Sequence, residues 1–260
     1  MLCKRNVSSI KRNPLVFKAR MGQSIVLAVL SAAIFWQSNE NNRKALQNLG
    51  GAMFFTSMAT FMPGYMMTGL TFQVERPVFL REQANKMYNV YTYYGAKVLA
   101  DVPGFIIAPT FFILITFFAV GYTKSVEQFF QFVLVAILNT MSGVSFGYCI
   151  STGVTNPTAA MQLAPILAMP LMLVGGLYVN QETMPFYLEV FSYISPLMYA
   201  FNSLAKLEFT NSPHDLAKVM LKNLDISRDY WTSILYLVIL IVSLQFLACI
   251  FLKLLVSKFQ

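Results

Sequence analysis

The sequence predicts an all-α, polytopic membrane protein, and three observations predict it. Hydrophobic residues fill 57% of the 260 positions and charged residues only 12%, about half the charged share of an average soluble domain. No charge at all occurs between Glu127 and Glu182, and the mean hydropathy is +0.58. The long apolar runs are continuous, without the alternation that barrel strands show, so helices are expected. A membrane-spanning helix needs about 20 apolar residues, and several fit here with modest loops between them.

Taken in order, residues 1–20 read as a basic interfacial helix offering Ile10, Leu15, Val16 and Phe17 to the membrane. The first span runs from Met21 to about Trp36, bounded by Arg20 and Glu40. A signal peptide is the competing reading for it. The basic lead is twenty residues long and no small-x-small cleavage site follows, which favours a genuine span. The second span is Leu49–Phe72, ended by Gln73, Glu75 and Arg76, and the third is Val102–Tyr122, entered through Asp101. The uncharged stretch from 128 to 181 is too long for one helix. Gly153, Asn156 and Pro157 divide it into a fourth span, about Phe129–Thr152, and a fifth, about Ala159–Val179. Residues 180–230 form the long exterior segment. Within it Pro185–Ile194 and Leu197–Phe209 are apolar but too short to cross, and Ser195-Pro196 separates them, so re-entrant or interfacial helices are expected. The sixth span is Trp231–Leu252.

Charge placement orients these six spans. The N-terminal arm (Lys4, Arg5, Lys11, Arg12, Lys18, Arg20), the 73–101 loop (Arg76, Arg81, Lys86, Lys97) and the tail (Lys253, Lys258) share one side. They hold twelve of the 19 lysines and arginines against three acids, Glu75, Glu82 and Asp101. Both termini are therefore expected in the cytosol. The net charge of +8 is then a topological signal whose counter-charge is anionic lipid, not nucleic acid.

The interior narrows the chemistry further. None of the six spans holds a charge, whereas proton- or sodium-coupled transport normally needs one there. His-Glu-x-x-His and the phosphate-binding Gly-x-x-x-x-Gly-Lys-Ser/Thr loop are both missing from the sequence, so intramembrane zinc proteolysis and self-contained ATP hydrolysis are not expected. Cys3, Cys149 and Cys249 are scattered without metal-ligand spacing, and His214 stands alone in a polar loop. The second span places Phe54, Met58, Met62 and Met66 at i, i+4, one soft stripe suited either to helix packing or to varied apolar ligands. Gly143-x-x-x-Gly147 in the fourth span marks close helix approach, within one chain or between two. Pro165, Pro170 and Gly175-Gly176 in the fifth suit a gate or a plain helix end.

A specific pattern lies at residues 75–103: Glu75-Arg76, Phe79-x-Arg81-Glu82, Met87-Tyr88, Tyr94, Lys97 and Asp101-x-Pro103. With Asn13-Pro14, Arg20-x-x-Gln23, Gly176-Leu177-Tyr178-Val179-Asn180, Ser195-Pro196-x-x-Tyr199-x-Phe201 and Glu208-Phe209, it resembles the membrane domain of White-type (G-subfamily) ABC half-transporters. The resemblance runs over essentially the whole chain. It implies that residues 1–20 are the connecting helix and that 75–88 is a coupling helix docking on a nucleotide-binding domain through Glu75, Arg76, Phe79, Arg81 and Glu82. It also implies a substrate cavity between two membrane domains, lined by Phe54, Phe61 and Met62 of the second span and Met169 and Met172 of the fifth. Leu177 and Tyr178 match the positions of an apolar gate, with tyrosine a bulkier, more polar departure from the usual leucine pair.

Two further departures stand out. Family members often carry cysteines in the last exterior loop, and residues 180–230 contain none. The family normally fuses an ATPase domain ahead of the connecting helix, and Met1 lies almost directly on that helix. The expectation is an ATPase fused upstream and missing here, or one supplied in trans. The chain itself binds no cofactor on this reading, while ATP and Mg sit on the nucleotide-binding partner. The function expected is the permease domain of an ATP-driven exporter of lipids, sterols or xenobiotics, dimeric with a second half-transporter. The rival is an ATPase-less partner that dimerises with full-length half-transporters as a regulator or inactive remnant. An ATP-independent lipid scramblase would want a hydrophilic furrow that the spans lack.

Overall fold

The computed structural model describes residues 15–37, 43–85, 87–122, 125–154, 156–178, 185–211 and 228–257, with Val219, Leu221, Leu224 and Ile226 between the last two. Eight helices are described: α1 (Leu15–Ile34), α2 (Arg43–Ala84), α3 (Val90–Val120), α4 (Val126–Gly153), α5 (Pro157–Leu173), α6 (Phe186–Ser192), α7 (Pro196–Asn211) and α8 (Tyr230–Ser257). Four of them, α1, α3, α4 and α8, are long and apolar enough to cross a membrane. The chain is an integral membrane protein. The count of six spans goes beyond those four.

Several boundaries differ from expectation. Leu15–Arg20 run on without a break into the first span, so residue 20 is not a helix boundary. Residues 1–14 of the expected connecting helix lie outside the described residues. The second span and the first part of the expected 75–88 coupling helix are one helix of 42 residues, about 63 Å long at 1.5 Å per residue. Pro63 and Pro77 lie inside it, each deleting one i−4 hydrogen bond without ending the helix. What reads as a 73–101 loop is thus mostly helix: only residues 85–89 connect α2 to α3, with the Asn89 side chain capping the Tyr91 N–H at 3.3 Å. The fifth span is shorter than expected. Pro157 starts α5 behind an Asn156 cap on Thr158, and α5 stops at Leu173 with Val174 as its C-cap; Gly176 just beyond takes a left-handed φ of 93° that most side chains disfavour.

Helices α2 and α4 form the centre. Their backbones meet at Gly64, Gly143 and Gly147, so the Gly-x-x-x-Gly face packs within one chain. A Cβ at Gly147 would lie 2.6 Å from the Tyr65 carbonyl oxygen and one at Gly64 2.7 Å from that of Thr140. Gly143 is tighter still against the Phe61 carbonyl. Polar side chains stitch the same seam: Asn139 Nδ2 donates to Ser57 O at 2.6 Å and to Thr60 Oγ1 at 2.8 Å. Away from water such bonds have no competing solvent partner, which favours their use between helices.

Part of the segment expected to be exterior is enclosed by protein. In α7 Leu197, Met198, Ala200, Phe201, Leu204 and Ala205 are buried, and the polar Asn202, Ser203 and Glu208 are buried with them, so the helix is enclosed by protein. It packs against α2, α4 and α8. By contrast α1 and α8 turn broad apolar faces outward, with Val26, Val29, Val242 and Phe246 all exposed. Such faces suit hydrocarbon rather than water.

Candidate functional site

The residues expected to line a cavity fall into three groups. Phe54 is buried between two rings, edge-on to Tyr178 at 5.2 Å and to Phe201 at 5.8 Å. This contact needs Gly175, whose Cβ would come within 2.9 Å of the Phe54 ring. Phe61 is also buried, stacked on Tyr65 at 5.6 Å and meeting Phe146 edge-on at 5.9 Å. Met62 and Met172 are half-buried over the same apolar cluster, together with Met58 and Met66. Met169 stands apart at 64% exposed. Of these candidates, Met62, Met169 and Met172 are open to an incoming molecule, and Phe54 and Phe61 are not.

The gate positions close over Phe54. Leu177 packs on the core and Tyr178 lies across the Phe54 ring while itself largely exposed. Phe201, absent from the sequence-derived set, completes this contact. Its only sequence signal is its place in the Ser195-Pro196-x-x-Tyr199-x-Phe201 pattern.

Beside the methionine edge, toward residue 73, a cavity of about 230 Å³ opens between α2, α4 and α5. Tyr65, Met66, Leu70, Gln73, Ile150 and Ala164 are among its walls. Tyr65 donates its hydroxyl to the Ala164 carbonyl at 2.7 Å, joining α2 to α5 across the cavity edge. Sequence reasoning found the three helices but not this cleft, since Gln73 read merely as the end of a span.

The 75–88 end is a tightly paired polar cap. Lys97 Nζ bridges Glu75 at 2.7 Å and Asp101 at 3.8 Å, and the Tyr148 hydroxyl donates to Asp101 at 3.1 Å. Arg76 is buried and donates to the Val154 carbonyl at 2.6 Å, holding the end of α4. Burial lowers its pKa from the ordinary guanidinium value, yet an arginine remains charged. Phe79 is buried among Phe72, Tyr88 and Tyr93, the last at 4.5 Å. Glu82 accepts from the Tyr88 hydroxyl at 2.5 Å. Of the five expected coupling residues, only Arg81 is exposed rather than buried or half-buried. It shares the outer face of α2 with Val74, Pro77 and Val78. Nearby, Arg20 is buried with its guanidinium 4.3 Å above the Phe105 ring. Among the described residues no cluster of three or more His, Cys, Asp or Glu side chains is placed to hold a metal.

Helices with lipid-compatible outer faces, a soft cleft between three of them and a stiff polar projection make up the membrane part of a transporter. The chain belongs to the ABC-2 type transporter family, whose profile matches residues 1–209, and within it to the White-type G subfamily that the 75–103 pattern resembles. It is 30% identical over 265 residues to Protein white of Drosophila melanogaster, covering 96% of this chain and 38% of that protein. It is 32% identical over 197 residues to Protein white of Ceratitis capitata, covering 75% and 29% respectively. A third relative, "ABC transporter ATP-binding protein/permease wht-1" of Caenorhabditis elegans, is 27% identical over 206 residues, covering 77% and 30%. The chain thus spans about a third of the length of these relatives.

Proposed function

We propose that the chain is the permease half of an ATP-driven exporter of hydrophobic or amphipathic molecules, working as a dimer. The carrying observation is the uncharged groove edge formed by Met58, Met62, Met66 and Met172 between α2 and α5. Flexible thioether side chains adapt to varied apolar shapes, while an anionic sugar or a metal ion would find no partner there. A second copy facing this edge would close a cavity over it, with Leu177 and Tyr178 as the lid.

The energy comes from nucleotide-binding domains carrying ATP and Mg, supplied by another part of the protein or by a partner chain. The name of the nematode relative, which pairs an ATP-binding protein with a permease, supports this division of labour. Those domains dock on the cytosolic end through the outer face of α2, where Val74, Val78 and Arg81 are exposed. Glu75, Arg76, Phe79 and Glu82 then act by stiffening that end rather than by touching the partner. Because α2 is unbroken, a tilt imposed at residue 78 reaches the methionines directly. Both termini lie in the cytosol, the side the basic residues mark.

The test is flux of a fluorescent lipid analogue in proteoliposomes holding the protein with its nucleotide-binding domains. ATP-dependent flux is expected, with Met62→Glu and Met172→Glu abolishing it while ATP hydrolysis persists. Equal flux without ATP, or flux untouched by both substitutions, would sink the reading. Stable dimers with full-length half-transporters but no flux would favour a regulatory partner instead.

A further inference from the structure

Val154 ends α4 as its C-cap, with its own N–H bonded to the Ile150 carbonyl at 3.0 Å. Its carbonyl is one of the acceptors that a helix end leaves without an intrahelical donor. Two side chains of α2 converge on it: Arg76 donates from Nη1 at 2.6 Å and Gln73 from Nε2 at 3.1 Å. Gln73 also donates to the Ser151 carbonyl at 2.9 Å, and both side chains are buried. Just three residues, 154–156, lie between Gly153 at the end of α4 and Pro157 at the start of α5. The Asn156 side chain caps the Thr158 N–H, and Pro157 fixes φ in the first turn. The corner where α4 gives way to α5 is therefore fastened to α2, at the end of the molecule that the basic residues mark.

The clamp and the docking face lie on the same turns of α2. Gln73 and Arg76, three residues apart, share the buried face, while Val74, Val78 and Arg81 share the exposed one. A force on the exposed face moves the clamp with it, because the helix is unbroken from Arg43 to Ala84. Along the first half of α5, the cleft of about 230 Å³ lies between that helix and its neighbours α2 and α4. Farther along, about two turns beyond Pro157, the Tyr65 hydroxyl ties α5 to α2 at the Ala164 carbonyl, 2.7 Å away. Room on the cleft side lets the first half of α5 follow its corner, and Pro165 gives it a place to bend.

We infer that Gln73 and Arg76 are positioning residues that pass the stroke of the nucleotide-binding domains from α2 to α5. Their role goes beyond stiffening the helix end. A tilt of α2 carries the α4–α5 corner with it, so Met62 on α2 and Met172 on α5 answer to one input. Arginine suits the grip, since a guanidinium bond to a carbonyl is charge-assisted and stronger than a neutral one. The inference rests on the permease reading for the stroke itself, and on the clamp geometry alone for what a stroke would move.

The test uses the protein with its nucleotide-binding domains in nanodiscs, native cysteines replaced by serine and spin labels attached in pairs. One pair joins Gln162→Cys on α5 to Leu114→Cys on α3, and the other joins Leu70→Cys on α2 to the same α3 site; all three positions are exposed. Trapping with ATP, Mg and vanadate should shift both distances. In Gln73→Leu/Arg76→Gln the α2 shift should persist while the α5 shift shrinks. Flux per ATP hydrolysed should fall about tenfold, a change that one charged hydrogen bond supports. Arg76→Lys, which keeps a charged donor, should restore most of both. Two glycines inserted after Val154 supply a second variant: both hydrogen bonds stay, the link to α5 slackens, and the same α5 defect should appear at an unchanged Tm. A merely structural clamp would lower the Tm and shrink both shifts together. That result, or an α5 shift of wild-type size in the double variant, would overturn the inference. Without nucleotide, the double variant should also broaden the α5 distance distribution and leave the α2 one narrow. Such broadening beside a wild type that shows no nucleotide response would defeat the permease reading and leave the clamp standing, whereas equal widths would overturn the clamp itself.

Discussion

Gly147 shows how little room single positions have. Its Cβ position lies 2.6 Å from the Tyr65 carbonyl, against backbone that cannot swing aside. Gly147→Val should separate α2 from α4 and cost the protein its monodisperse peak and most of its thermal stability. A Tm equal to wild type would show that the seam is looser than described. Phe61 is a different case. It is fully buried, so Phe61→Ala should destabilise by about 3–5 kcal/mol through the cavity it leaves, and a transport defect in that variant would report folding. Met62→Ala and Met172→Ala test the groove more cleanly, with altered KM for flux and an unchanged Tm as the expected result. At this scale the sequence was informative about which residues are soft and apolar. It was silent on which of them face inward, because Phe54, Phe61, Met62 and Met169 are equally apolar and differ only in what covers them.

Among the elements, α2 carries the most consequence. Its span and most of the coupling segment are legible in the sequence, since Glu75-Arg76 and Arg81-Glu82 end the apolar run. Their continuity is not, because a charged pair and Pro77 both read as helix enders, and it takes Arg76 on Val154 and the Glu75–Lys97 pair to carry the helix on. Val78→Asp on the outer face should uncouple ATP hydrolysis from flux without moving the Tm. Unchanged coupling would remove that face from the docking surface. Lys97→Met has the opposite signature. It strips the counter-charge from Glu75 and Asp101 and should cost on the order of 1–3 kcal/mol, seen as a lowered Tm. Helix α7 was half legible: its start was apparent from Ser195-Pro196, but its enclosure was not, since a short, largely apolar helix suits an interface as well as an interior.

For the molecule as a whole, sidedness is the expectation most open to direct test. In vesicles with the exterior facing out, an impermeant thiol reagent should reach Phe186→Cys in the exterior segment and spare Arg81→Cys. Labelling of Arg81→Cys instead would invert the orientation. Run lengths and charge placement by themselves determined that this is a helical membrane protein and which ends carry the basic excess, while the family was legible only as a resemblance in the 75–103 pattern. The spans and their sidedness follow from hydrocarbon excluding charge and unpaired backbone, a constraint that acts on each segment separately. Only the tertiary structure decided that the glycine face packs within the chain, that Phe54 and Phe61 are covered while Met62, Met169 and Met172 are open, and that Gln73 borders a cleft. Lipid tails and protein interiors are alike in polarity, so hydrophobicity cannot say which of the two an apolar face meets. That is settled by which helices come close enough to touch.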